Sequence, residues 1–304
     1  MGTVMRVTLP TEETPALRAA VQACFARFEQ VDQTMSEWKP GSPVAELNRQ
    51  AGRAPVKVPE ELWGLLETAQ RISAASNGAF DVTWAALWGL WQFTDASRPP
   101  SRDDVASRLQ HVGWKRLRLD AKARTAYLPE RGMAVGLGAI AKGHALAMAA
   151  LELRSRGIQD FLLDAGGQVY GGGMKGPGQP WKVGIREPRG GPEDSFAGLA
   201  LTDASISTSG DYERFFVAEG VRFHHIIDTR TGSPARGARS ATVVASDPTL
   251  ADACSTAAFV LGAPGGLEFA RKMGVDLLLV DANNRVHMTP GMKARLLWSH
   301  PPRD

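Results

Sequence analysis

A chain of 304 residues with 43% hydrophobic composition can bury a substantial core, and has room for one large domain or two ordinary ones. Its formal charge of +3, with no run of five like charges, excludes a basic nucleic-acid footprint. Two cysteines, Cys24 and Cys254, are too few for a disulfide scaffold or a zinc site and read as buried thiols. No stretch of about eighteen uncharged apolar residues is present, so no spanning helix is expected.

Thr3 to Leu9 alternates with period two and predicts a strand. It lacks the charged region and apolar core of a signal peptide. Pro15 to Met35 carries Leu17, Val21, Phe25, Phe28 and Val31 at helical spacing, and Pro59 to Ala75 predicts a second amphipathic helix ended by Asn77 and Gly78. Trp84, Leu87, Trp88 and Trp91 recur at three- and four-residue steps, so Trp84 to Phe93 is expected to be a buried helix. Trp114 to Leu119 and Thr125 to Leu128 read as paired strands around a turn. Ile140 to Arg156 predicts a helix and Phe161 to Asp164 a short buried strand ending in Gly166 and Gly167. Gly171 to Pro180 and Pro188 to Pro192 read as loops flanking a strand at Trp181 to Ile185. Further strands are expected at Leu199 to Ser207, Phe223 to Asp228, Ala241 to Ala245 and Leu277 to Val280, with helices at Thr249 to Leu261 and Gly265 to Met273. Strands alternating with helices imply a mixed α+β fold.

Four constellations have chemical potential. Gly136-Leu137-Gly138-Ala139-Ile140-Ala141-Lys142-Gly143 lies where a strand gives way to a helix, which places free amides, the helix dipole and a lysine together. Its spacing fits neither a P-loop nor a dinucleotide fingerprint, so a close-packed turn with a surface lysine stays open beside phosphate binding. Asp252 and Thr256 stand four residues apart on one helical face and suit a hard cation, although Asp252 is also placed to act as a simple dipole partner. His224 and His225 precede Ile226 and a polar turn ending at Gly232; a histidine there can move a proton or simply pack. Asn77 to Thr83, with Asp81, is a turn running into a strand.

Taken together and in order, these segments resemble the ApbE-type FAD:protein FMN transferases. The resemblance rests on Met1 to Thr3, Met35 to Trp38, the Ser and Asn of Ser42 to Asn48, Gly78 to Thr83, Ala139 to Gly143, Asp164 to Gly167, Thr208 to Tyr212, His225 to Gly232 and Ala251 to Thr256. It implies a single α+β domain over residues 1–304 with FAD in a cleft between two halves, lined by Met1, Trp38, Ala79, Phe80, Asp81, Lys142 and Ile226. It further implies Mg²⁺ held by Asp252, Thr256 and the backbone oxygen of Ala139. The chain departs from the family pattern at Gly136 and Ala147, where acidic residues are common, at His144 in place of tyrosine and at Thr229 in place of proline.

The implied activity is transfer of FMN from FAD to a threonine of an acceptor flavoprotein, such as a subunit of a respiratory or redox membrane complex, with release of AMP. Asp252 or His225 is the candidate for assisting deprotonation of the threonine. An FAD pyrophosphatase that uses water, and a carrier that holds FAD unchanged, are the alternatives. The resemblance also implies a periplasmic location behind an upstream leader, with the cytoplasm as the alternative.

Overall fold

The computed structural model describes residues 3–94 and 97–304. The chain runs through β1 (Met5–Thr8), α1 (Pro15–Met35), α2 (Pro43–Arg49), β2 (Val56–Lys57) and α3 (Glu60–Ala75). Next come α4 (Arg102–Leu109), β3 (Arg118–Asp120), β4 (Thr125–Tyr127), α5 (Ala141–Ser155), β5 (Phe161–Ala165) and β6 (Gln168–Gly172). They are followed by β7 (Trp181–Arg186), β8 (Ser195–Leu201), β9 (Ala204–Gly210), β10 (Phe215–Ala218), β11 (Val221–His224), β12 (Ile227–Asp228), β13 (Ser233–Pro234) and β14 (Ala238–Ala245). Then come α6 (Pro248–Met273), β15 (Asp276–Asp281), β16 (Val286–Met288), α7 (Pro290–Arg295) and β17 (Leu296–Trp298).

The frame is a seven-stranded antiparallel sheet in the order β1-β5-β6-β9-β14-β15-β16. Both of its faces are buried, and β15 shows how: Leu277 and Leu279 point into one core, while Leu278 and Val280 point into the other. The larger core lies between the sheet and helices α1, α3, α5 and α6. The smaller one, built on Trp181, Phe196, Leu199 and Met292, is closed by a three-stranded sheet β17-β8-β7 and by α7. A further small sheet, β2-β4-β3, pairs the two strands expected on either side of Asp120 to Lys122.

Local signals explain the helices that carry the site. In α1, the Thr14 hydroxyl accepts the Leu17 amide at 3.2 Å, Pro15 starts the first turn, and Cys24, Phe28, Val31 and Met35 fall on the buried stripe. In α6, Asp247 caps the Thr249 amide at 2.8 Å. By length and composition α6 could cross a bilayer, but 67% of its apolar window is buried inside the protein, as befits a core helix.

The structure corrects several expectations. Trp84 to Phe93 is not a helix; only Ala85–Leu87 form a 3-10 turn, and Gly89 takes φ of 79°. The segment Leu199 to Ser207 is two strands, β8 and β9, in different sheets, joined by a turn in which Asp203 has φ of 49°. Trp114–Arg116 is a 3-10 turn that precedes β3. Phe223 to Asp228 is interrupted between β11 and β12. The two helices expected after Pro248 run on as α6, broken at Gly262, whose φ of 69° and ψ of −174° are non-helical.

Candidate active site

The N-terminus of α5 is the centre of the site. Gly136 N donates to Val82 O at 2.8 Å and Trp84 Nε1 donates to Gly136 O at 3.0 Å, pinning the incoming turn. The amides of Ile140 and Ala141 then both donate to Leu137 O. Ile140, the residue in the cap position, has no side chain able to satisfy the first-turn amides.

That role falls to another helix. Asp252 Oδ2, projecting from α6, accepts the Gly143 amide at 2.9 Å. Gly143 makes this possible, because a Cβ there would collide with Pro248 O and with the Asp252 side chain. Lys142 Nζ donates to Gly138 O at 3.3 Å and lies 4.0 Å from Asp252 Oδ1. Burial pushes the Asp252 carboxyl above the ordinary carboxylate range, against the opposing pull of the Lys142 charge and the Gly143 and Lys142 amides. A buried carboxylate, a helix N-terminus and an ammonium therefore converge at one point.

Hydroxyls extend the site along the interface of α6 with β9. Thr256, one turn beyond Asp252, places Oγ1 3.2 Å from Ser209 Oγ, which is 2.9 Å from Ser255 Oγ. Ser255 Oγ in turn donates to Asp252 O at 2.8 Å. Among the described residues no group of three or more His, Cys, Asp or Glu is placed to hold a metal ion. What Asp252 and Thr256 offer is a sparse, all-oxygen set with Ala139 in the adjoining turn. That chemistry fits a magnesium-type cation whose remaining positions are filled by water and phosphate.

Two loops bracket this centre. In the first, Ala79 and Phe80 are buried in the larger core, and Asp81 is a clamp. Its Oδ1 accepts the Thr83 amide and hydroxyl, both at 2.7 Å, and its Oδ2 accepts the Trp114 amide at 2.8 Å. Burial raises the Asp81 carboxyl, against those hydrogen bonds. Trp38, 62% exposed after the end of α1, lies against Trp88 with ring planes 57° apart.

In the second loop, His224 Nε2 lies 2.6 Å from Ala235 O, which can only accept, so Nε2 carries the proton. Nδ1 then accepts the Ile226 amide at 3.3 Å. Burial holds this ring below the usual histidine range, so it stays neutral and fixes both ends of the turn. His225 hangs between these anchors with a buried Nδ1 that has no hydrogen-bond partner. Burial, then the neighbouring His224 and charges that include Lys142, lower it to about 4. Ile226 is buried in the larger core. The Thr229 hydroxyl donates to Gly78 O, stitching the two loops together.

The structure thus joins Lys142, Asp252 and Thr256 in one cluster with the Ala139 turn, and gives Asp81 and His224 bonding roles at the loops. Met1 lies outside the described residues. Residues that depart from the family pattern have local partners: His144 Nε2 is 2.7 Å from Glu61 Oε1, whose other oxygen takes Arg27 at 2.8 Å. Beside Gly136, the space that a Cβ would need is filled by Trp84 and Ala85. Ser209 and Ser255 lie inside the segments Thr208 to Tyr212 and Ala251 to Thr256, but sequence reasoning gave neither hydroxyl a role beside Thr256, and it missed the buried clamp made by His224.

Comparison with known proteins identifies the family and the fold. The profile of the ApbE family matches residues 1–279. The FAD:protein FMN transferase of Treponema pallidum is 34% identical over 97% of this chain and 86% of its own length. That of Rhodobacter capsulatus is 33% identical over 97% of this chain, which spans 57% of the relative's length. The crystal structure of the ApbE protein from Thermotoga maritima superposes with a TM-score of 0.87 at 33% identity, covering 100% of this chain and 97% of that one. With this fold, this cluster and these relatives, the chain belongs to the ApbE family and is a transferase.

Proposed function

We propose that this chain transfers the FMN half of FAD to a threonine hydroxyl of an acceptor flavoprotein and releases AMP. One observation carries the reading: Asp252, the α5 amides and Lys142 meet at a single point, as recognition of a pyrophosphate and its counter-cation requires. The transferase activity named for the relatives from Treponema pallidum and Rhodobacter capsulatus supports it. Lys142 binds phosphoryl oxygens as a point charge at the helix N-terminus. Asp252, Thr256 and the Ala139 carbonyl are the groups that would hold Mg²⁺, which supplies charge neutralisation at the phosphoryl group when bound. The Asp81 clamp and the Thr229 bridge to Gly78 keep both loops in place around the flavin end.

The reaction makes one bond between the threonine oxygen and the FMN phosphorus and breaks the bond from that phosphorus to the bridging oxygen, which leaves with AMP. The hydroxyl proton goes to His225 Nδ1, which is buried, neutral and otherwise unpartnered. The family's periplasmic setting is part of the same proposal. Incubation with FAD, Mg²⁺ and a threonine-bearing flavoprotein tests it. Covalent flavin fluorescence on the acceptor is expected, whereas release of free FMN alone, or recovery of intact FAD, would replace the reading with hydrolysis or carriage.

A further inference from the structure

Beside the His225 loop lies a groove of about 580 Å³ whose chemistry differs from that of the phosphate centre. Its floor is aromatic: Trp91 and Phe223 stack with centroids 5.8 Å apart and planes 22° apart, and Phe216 backs Phe223 at 5.1 Å. Its wall is α4, a helix with no fully buried residue, which turns Val105 and Leu109 toward the groove. Two exposed cations frame it. Arg236 sits 5.3 Å over the Phe223 ring, and Arg102 is the first residue of α4. Among the described residues no carboxylate lines the groove and neither arginine has an ion-pair partner.

The groove is tied to the loop that carries His225. Trp91 Nε1 donates to Gly232 O at 2.9 Å, so the floor is fastened to the loop that carries His225. Phe93 bridges the two, with its ring 6.2 Å from Phe216 and edge-on to His225 at 6.5 Å. An apolar, aromatic floor between two unneutralised guanidinium groups suits an extended polypeptide with acidic and aromatic side chains.

We infer that this groove docks an acidic segment of the acceptor protein and so presents its threonine to His225, an inference that rests on the proposed FMN transfer. The occupant is a segment of another protein, and the arginines act on its affinity and encounter rate.

The test is fluorescence anisotropy with a short fluorescein-labelled peptide of Asp, Phe, Pro and Thr, and a control in which Lys replaces Asp. Arg102→Glu combined with Arg236→Glu changes two exposed side chains and leaves the fold and FAD affinity, read by flavin fluorescence, within about twofold. The Asp peptide is expected to bind the double variant roughly tenfold more weakly, and wild type is expected to prefer it to the Lys peptide by a similar factor. Equal affinity of both peptides for wild type, or of the Asp peptide for both proteins, would overturn the inference. So would sedimentation showing a wild-type dimer that the double variant abolishes, since that assigns the groove to a second copy of the chain. Because peptide binding is read without turnover, a wild type that transfers no FMN would remove the functional reading separately.

Discussion

The carboxylate of Asp252 caps a helix that is not its own, accepting the amide of Gly143 from a position 109 residues further along the chain. The expected role of a dipole partner is therefore real, but it is exercised on α5. Asp252 consequently has two duties, closing the α5–α6 crossing and presenting its second oxygen to the site.

Asp252→Asn separates these duties, because an amide oxygen can still accept from Gly143 while the charge is gone. Transfer is expected to fall by roughly three orders of magnitude with FAD affinity largely kept. Asp252→Ala also removes the cap and is expected to lose about 1–2 kcal/mol of stability besides. Single-turnover kinetics with thermal unfolding reads both; an Asn variant with full turnover would sink the assignment.

Chelation gives an independent check. Excess EDTA is expected to stop FMN transfer, and added Mg²⁺ to restore it, while unfolding shifts little because hydrogen bonds and core packing already hold the cluster together. Persistence of transfer after exhaustive chelation would remove the cation from the proposal.

Gly143→Ala drives a methyl group into Pro248 O. Relief requires α5 and α6 to part, so a loss of roughly 1–3 kcal/mol is expected from denaturant midpoints. Transfer should decline with it, since Lys142 and Asp252 sit on opposite sides of that crossing.

His225, lowered to about 4 by burial, keeps its neutral form across the physiological range. The unfolded chain takes up this proton near pH 6.5, before the folded chain does. Stability from this group is therefore complete above that pH and falls as pH drops toward 4, by roughly 3 kcal/mol. His225→Gln is expected to flatten that slope and to slow transfer. Transfer in wild type should lose activity on an acid limb near pH 4, and a limb near 6.5 would contradict the buried environment.

Asp81→Ala would strand the amides of Thr83 and Trp114 in a buried loop. A destabilisation of about 3 kcal/mol is expected, with weaker FAD binding, measurable by calorimetry.

How much of this was visible in the chain varies with how local the cause is. The start and end of α1 follow from Thr14, Pro15 and an apolar stripe, all within one helix. The tryptophan segment misled because its helical spacing has another origin. Trp84 bonds to Gly136, Trp88 meets Trp38, and Trp91 bonds to Gly232, so each ring answers to a different distant element. The β8–β9 turn was hidden because apolar residues of both strands, Leu199 and Leu201 before it and Ala204 and Ile206 after it, line the same smaller core, although the strands belong to different sheets. In the site, Lys142, Asp252 and Thr256 were legible from residue type and helical register. The proton position on His224 and the cross-helix cap depend on partners far away in sequence, and no local pattern encodes them.

The break in α6 at Gly262, where its backbone lies against Gly237, divides that helix into a front half bearing Asp252 and Thr256 and a rear half ending at Met273. Such a joint interrupts the regular helix between the two halves. An environment-sensitive dye on exposed Lys272 should thus report the rear cavity at Arg271, Gly274 and Asp276 while turnover proceeds undisturbed.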